Sequence, residues 1–131
     1  MRERGDPVST VLIVDDSAAQ RCALERGLTR SSLRIDGIRT TSTAVGALEL
    51  LEHETFDLVM CDASLPDREG IDLLEAIASS CENTACILLT CLEQRELVET
   101  ARARGIKGAL RRPFDHEHLV NTVEGAIGGE H

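Results

Sequence analysis

Aromatic side chains are almost absent from this chain: Phe56 and Phe114 stand alone, with no Trp and no Tyr. The apolar share is nevertheless an ordinary 42%, so any core must be aliphatic, built from Leu, Ile, Val, Ala and Cys. Basic residues are outnumbered, 14 Lys and Arg against 23 Asp and Glu, for a net charge of −9. That balance argues against general binding to nucleic acid or to an anionic membrane, since both need a cationic face. No apolar run approaches the roughly 20 residues of a membrane span. The polar start MRERGDPVS is not followed by the apolar stretch of a signal peptide. Cysteines number five, at 22, 61, 81, 86 and 91, and include no C-x-x-C pair. They read as small hydrophobes in a reducing cytosol rather than as zinc ligands or disulfide partners. The expectation is a cytoplasmic protein with no membrane segment and no direct contact with nucleic acid.

Internal repeats, low-complexity tracts and linkers are missing too. A length of 131 residues suits one domain, expected over residues 10–127 with short tails at 1–9 and 128–131. What is present is alternation. Short apolar runs recur at Val11–Val14, Leu33–Ile38 (broken by Asp36 and Gly37), Leu58–Cys61, Cys86–Leu89 and Gly108–Leu110. Three are almost continuously hydrophobic, as parallel strands covered on both faces should be. Between them, Ser17–Leu28, Thr43–Leu51, Ile71–Ile77, Glu93–Arg104 and Asp115–Ile127 carry apolar residues at helical spacing. Ser17 is suited to cap the first of these helices, and Gly105 to stop the fourth. Five β-α units in series predict an α/β sandwich around a parallel sheet with right-handed crossovers.

In such sheets ligands sit outside the carboxyl ends of the strands, so the residues ending each apolar run matter most. The first run ends in Asp15 and Asp16, the third in Asp62, the fourth in Thr90, and the fifth in Arg111, Arg112 and Pro113. Taken singly these residues say little, since an Asp at a strand end is ordinarily a turn former or a helix cap. Together, at the ends of four strands, they form a pattern. Neighbouring first and third strands would bring the three aspartates together, and two carboxylates about 4 Å apart repel by roughly 4 kcal/mol at an effective dielectric near 20. Against a net stability of about 5–15 kcal/mol, such a cluster calls for a cation or for raised pKa values. An all-oxygen site open to water suits Mg²⁺, while Cys61 and Cys91 are too soft for it. Beside a bound cation, Asp62 is placed to act as a nucleophile toward phosphorus. Arg112 would balance charge on the transferring group and Thr90 would donate a hydrogen bond to it.

The segments VLIVDDS, DLVMCDASLPDREGIDLL, CILLTC and GALRRPF resemble the receiver domain of two-component response regulators over residues 10 to 127. The resemblance implies a flavodoxin-like (βα)₅ fold with strand order 2-1-3-4-5. It makes Asp62 the phosphoryl acceptor, and gives Mg²⁺ to Asp15, Asp16, Asp62 and the backbone carbonyl of Ser64. Thr90 becomes the hydroxyl residue that turns toward the phosphoryl group, and Pro113 the proline reached through a cis peptide. The implied donor is a phosphohistidine on a sensor histidine kinase or phosphotransfer protein. An output domain, a downstream protein and a homodimer are all compatible with the family.

Two departures from the family pattern stand out. Arg112 occupies the place of a lysine, bringing a planar fork instead of a compact ammonium. Ala109 occupies the place of a Tyr, Phe or His whose ring ordinarily relays the movement of the threonine. The sequence therefore implies an intact acceptor site with an atypical switch, in a signalling domain rather than an enzyme apart from slow self-dephosphorylation. The alternative is a pseudo-receiver that scaffolds protein contacts without phosphorylation. A phosphatase with an aspartyl nucleophile ordinarily carries a second Asp two residues on, where this chain has Ser64. A flavoprotein would need a phosphate-binding loop after the first strand, and none is present.

Overall fold

The computed structural model describes residues 8–91 and 96–128. Five strands alternate with five helices: β1 (Val8–Val14), α1 (Ala18–Arg30), β2 (Ile35–Thr41), α2 (Ala44–His53), β3 (Leu58–Asp62), α3 (Gly70–Ser80), β4 (Ala85–Thr90), α4 (Glu96–Ala103), β5 (Gly108–Arg111) and α5 (His116–Gly128). All strands pair in parallel in the order β2-β1-β3-β4-β5, so the flavodoxin-like (βα)₅ expectation holds.

The three continuous apolar runs are the three central strands. Every side chain from Val11 to Val14, Leu58 to Cys61 and Cys86 to Leu89 is buried, because helices cover both faces of the sheet. Alternation along each strand divides these residues between two cores. Val11, Ile13, Leu58, Met60, Ile87, Leu89 and Leu110 face α1 and α5, where they meet Leu24, Leu28, Leu119 and Val123. Leu12, Val14, Val59, Cys61, Cys86 and Leu88 face the other way, against Ala44, Ala47, Leu73, Leu74, Ile77 and Ala101. Cys61 and Cys86 thus serve as small core residues.

Local signals place the helix ends. Ser17 caps α1 by accepting from the Gln20 N–H, and Thr43 caps α2 by accepting from Gly46. Gly105 takes a φ of 90° just beyond α4, a conformation open to glycine. The Glu93–Gln94–Arg95 start expected for the fourth helix lies outside the described residues. The second strand departs from expectation: it begins at Ile35 rather than Leu33 and runs on to Thr41. Its pairing explains the shift. The ladder to β1 continues from Val8↔Ile35 to Val14↔Thr41, and an edge strand only half buried needs little hydrophobicity to stay in register.

Candidate functional site

The ladders do not stop where the strands are bounded. Asp15 N–H donates to the Thr41 carbonyl at 3.0 Å, Ala63 N–H to Leu89 at 3.0 Å, and Arg112 N–H to Thr90 at 2.7 Å. Pleated alternation therefore persists one residue past β1, β3 and β5. By that count Asp15, Asp62 and Arg112 share the parity of the residues facing α1 and α5, whereas Thr90 has the parity of Cys86 and Leu88 on the opposite face.

The side chains obey the count. Arg112 Nη1 donates to Asp62 Oδ1 at 2.7 Å, and Nη2 donates to Asp15 Oδ2. The remaining oxygen of each carboxylate accepts a backbone N–H two residues further on: Asp15 Oδ1 from Ser17 at 3.0 Å, and Asp62 Oδ2 from Ser64 at 3.1 Å. Every oxygen of Asp15 and Asp62 is thus engaged. Asp16 is exposed, and one oxygen from each of Asp15, Asp16 and Asp62 lies within 4.8 Å of the others.

Electrostatics follow from burial. Asp15 is 2% exposed, and desolvation raises its pKa above the ordinary carboxylate range. The Ser17 N–H and the Arg112 guanidinium oppose that rise, and the charge of Asp62 adds to it. The three acids were expected to demand a cation or raised pKa values; the pKa of Asp15 is raised, and Arg112 stands as a cation against Asp15 and Asp62. Burial, with the charges of Asp62 and Asp15 next in weight, also pushes the Cys61 thiol far up, so it stays a neutral core residue.

Thr90 is 2% exposed, and its Oγ1 has no hydrogen-bond partner among the described residues. A buried hydroxyl left unpaired costs on the order of 1–3 kcal/mol. Ser64 forms an isolated antiparallel bridge with Glu69. The bridging bonds are Leu65 N–H to Arg68 and Gly70 N–H to Ala63, so Ser64 gives neither its own N–H nor its carbonyl to the bridge. Pro113 follows a cis peptide bond. On β5, Ala109 pairs with Leu88, and the sequence of that strand holds no aromatic.

Two contributors to the site escaped the sequence reading, Asp67 and Arg21, and a third, Gly70, was marked there as part of the motif after Asp62 without its packing role. Asp67, in the loop after β3, accepts from the Ala44 and Val45 N–H groups at 2.9 and 3.0 Å. The site loop is thereby tied to the N-terminus of α2, where a carboxylate is favoured. Arg21 Nη1 donates to the Asp15 carbonyl at 2.7 Å. A Cβ added to Gly70 would lie 1.9 Å from the Asp62 carbonyl oxygen, so only glycine fits under the end of β3. Partners 23 residues apart leave no local trace, whereas Gly70 was visible in the motif and the close approach to Asp62 now gives its reason.

The model of the response regulator receiver domain family matches residues 11–124. The chain belongs to that family. It is 36% identical over 117 residues to the transcriptional regulatory protein PdtaR of Mycobacterium tuberculosis, a match covering 89% of this chain and 56% of PdtaR. The chain therefore spans little more than half of that relative. It is 29% identical over 120 residues to the probable chemotaxis protein CheY of Rhizobium etli, covering 90% of this chain and 92% of that one. Among solved structures, the chemotaxis response regulator CheY4 of Vibrio cholerae superimposes with a TM-score of 0.76 at 26% identity, over 89% and 97% of the two chains. Receiver domains interact with histidine kinases or phosphotransfer proteins and often carry output domains. No helix among the described residues is long and apolar enough to cross a membrane.

Proposed function

We propose that this receiver accepts a phosphoryl group on Asp62 in a Mg²⁺-dependent reaction with a phosphohistidine of a sensor kinase or phosphotransfer protein. The observation that carries the reading is the meeting of Asp15, Asp16 and Asp62 within 4.8 Å at the mouth of the sheet. Hard oxygen donors on an open rim suit a small divalent ion. Asp15, Asp16, Asp62 and the Ser64 carbonyl, which takes no part in the bridge to Glu69, would hold it, and once bound it would offset negative charge on the transferring group. The Asp62 carboxylate attacks phosphorus, the phosphorus–nitrogen bond to the donor imidazole breaks with its electron pair leaving on nitrogen, and an acyl phosphate remains. Arg112 then has phosphoryl oxygens to bind in place of a full carboxylate. The unpartnered Thr90 hydroxyl gains an acceptor at the same moment. The chain acts as a signalling domain rather than a turnover enzyme, with slow loss of its own phosphoryl group to water.

The readout is atypical. The aromatic rings are Phe56 and Phe114 alone. Phe114 packs with the core facing α1 and α5, while Phe56 sits in the other core just before the N-terminal end of β3. Neither stands on β5 beside Thr90, so no ring replaces the missing aromatic at Ala109. A second reading, the phosphorylation-independent interaction module, draws on the Arg112 fork, which satisfies two of the carboxylates without any ion.

Beryllofluoride or acetyl phosphate with millimolar Mg²⁺ tests the choice. Amide shifts around Asp62 and Thr90 should move in the wild type and stay still in Asp62→Asn. Silence of the wild type toward both reagents would leave the interaction module standing.

A further inference from the structure

The Arg112 fork carries a consequence for ion binding that is particular to this chain. Asp15 and Asp62 each keep one oxygen on a backbone N–H, from Ser17 and Ser64, and each gives the other to Arg112. The guanidinium therefore already spans one oxygen of each carboxylate. A divalent ion of the Mg²⁺ type binds oxygens at about 2.1 Å in an octahedron, which sets adjacent ligands about 3 Å apart. An ion drawing on the same oxygens of Asp15 and Asp62 would meet a planar guanidinium already hydrogen-bonded to both. Asp16 is outside the fork and exposed, so it can receive the ion first. The competition is sharpened by burial: Arg112 and Asp62 are 16% and 18% exposed and Asp15 2%, so water screens little of it. Arginine cannot escape by deprotonation.

We propose that Arg112 is a built-in competitor for the divalent ion, so that ion entry and release of the guanidinium are a single exchange. The inference rests on the reading of the acidic trio as an ion site. The consequence is an order of events. Arg112 is handed to an incoming phosphoryl group after the ion has displaced it from Asp15 and Asp62, so an ion-free receiver holds its acceptor carboxylate masked.

Calorimetric titration of the whole chain with Mg²⁺ alone tests this, comparing wild type with Arg112→Lys and Arg112→Gln. Lysine keeps the charge but removes the fork, so a gain in affinity there reports the fork and not the charge. Arg112→Lys is expected to bind Mg²⁺ about tenfold more tightly, the scale of one charge-assisted hydrogen bond. Arg112→Gln should gain at least as much. Thermal unfolding checks folding and gives a second reading: the variants should melt below wild type in EDTA, and the gap should shrink at saturating Mg²⁺. In wild type, the Arg112 Nε–Hε signal should shift and sharpen during the same titration. Equal affinities for wild type and Arg112→Lys, with a constant melting gap and an unmoved Arg112 signal, would overturn the competition while leaving the ion site intact. Absence of Mg²⁺ binding in all three proteins would overturn the ion site and the competition together.

Discussion

The two flanks of this site are in opposite states. On the flank with the parity of α1 and α5, every carboxylate oxygen of Asp15 and Asp62 is paired with Arg112 or a backbone N–H. On the other flank, the Thr90 hydroxyl is buried with nothing to bond among the described residues. One flank is stable as it stands, and the other is completed only by an atom arriving from outside. A receiver built this way resists the first step of activation through its filled flank and is rewarded for the last step through its empty one. The contrast also bears on the missing aromatic at Ala109: tension is stored at Thr90, but no ring on β5 waits to transmit its relief.

The largest blow to the filled flank should come from Gly70→Ala, which touches none of its side chains. The new methyl would meet the Asp62 carbonyl at 1.9 Å and the Ala63 Cα at 3.1 Å, and backbone cannot yield as a flexible side chain does. A loss of about 3 kcal/mol in chemical denaturation is expected, together with displaced amide signals for Asp62 and Ser64. A loss below about 1 kcal/mol would show that the end of β3 is softer than its contacts imply.

The empty flank predicts a change of opposite sign. Thr90→Val keeps the shape and removes the orphan hydroxyl, so the ion-free protein should gain about 1 kcal/mol. The same variant should lose the amide response to beryllofluoride near Thr90. Destabilisation would mean that the hydroxyl has a partner after all, and the contrast between the flanks would dissolve.

The smallest effect concerns the tie between the site loop and α2. Hydrogen bonds from Ala44 and Val45 hold the exposed Asp67 carboxyl below its ordinary value near 3.8. A depressed carboxylate contributes stability above its unfolded pKa and loses it as pH falls through the folded one. Wild type should therefore shed this contribution as pH drops below about 4, while Asp67→Ala should start slightly less stable at neutral pH and show a shallower acid limb in thermal melts. Parallel limbs would remove Asp67 from the account of how the loop is held.

What the sequence disclosed, and what it hid, follows from the reach of each interaction. The central strands announced themselves because Val11–Val14, Leu58–Cys61 and Cys86–Leu89 are apolar at every position. Ser17 and Gly105 are local signals for a cap and a helix stop, and the family resemblance implied the cis bond before Pro113; each appears where expected. Strand β2 was misplaced by two residues at its start because an edge strand takes its bounds from its neighbour's backbone rather than from its own hydrophobicity. The convergence of Asp15, Asp16 and Asp62 was legible from strand ends alone. That Arg112 would close on two of them was not read, although alternation along β1, β3 and β5 contains it: extending each ladder by one residue puts Asp15, Asp62 and Arg112 on one side. Asp67 on α2 had no such route, since nothing periodic links a loop to a helix end 23 residues away.

That alternation also governs how such a site can change over evolutionary time. Because Arg112 hangs from a ladder that β4 keeps in step, its address is a residue count from Leu110, not a loop conformation. A substitution at the address alters the chemistry and keeps the geometry, as with a fork in place of a compact ammonium. A single insertion between Leu110 and Arg112 would send the cation to the opposite face of the sheet, leaving Asp15 and Asp62 without it. Drift in what stands at this position is therefore tolerable, and drift in how many residues precede it is not.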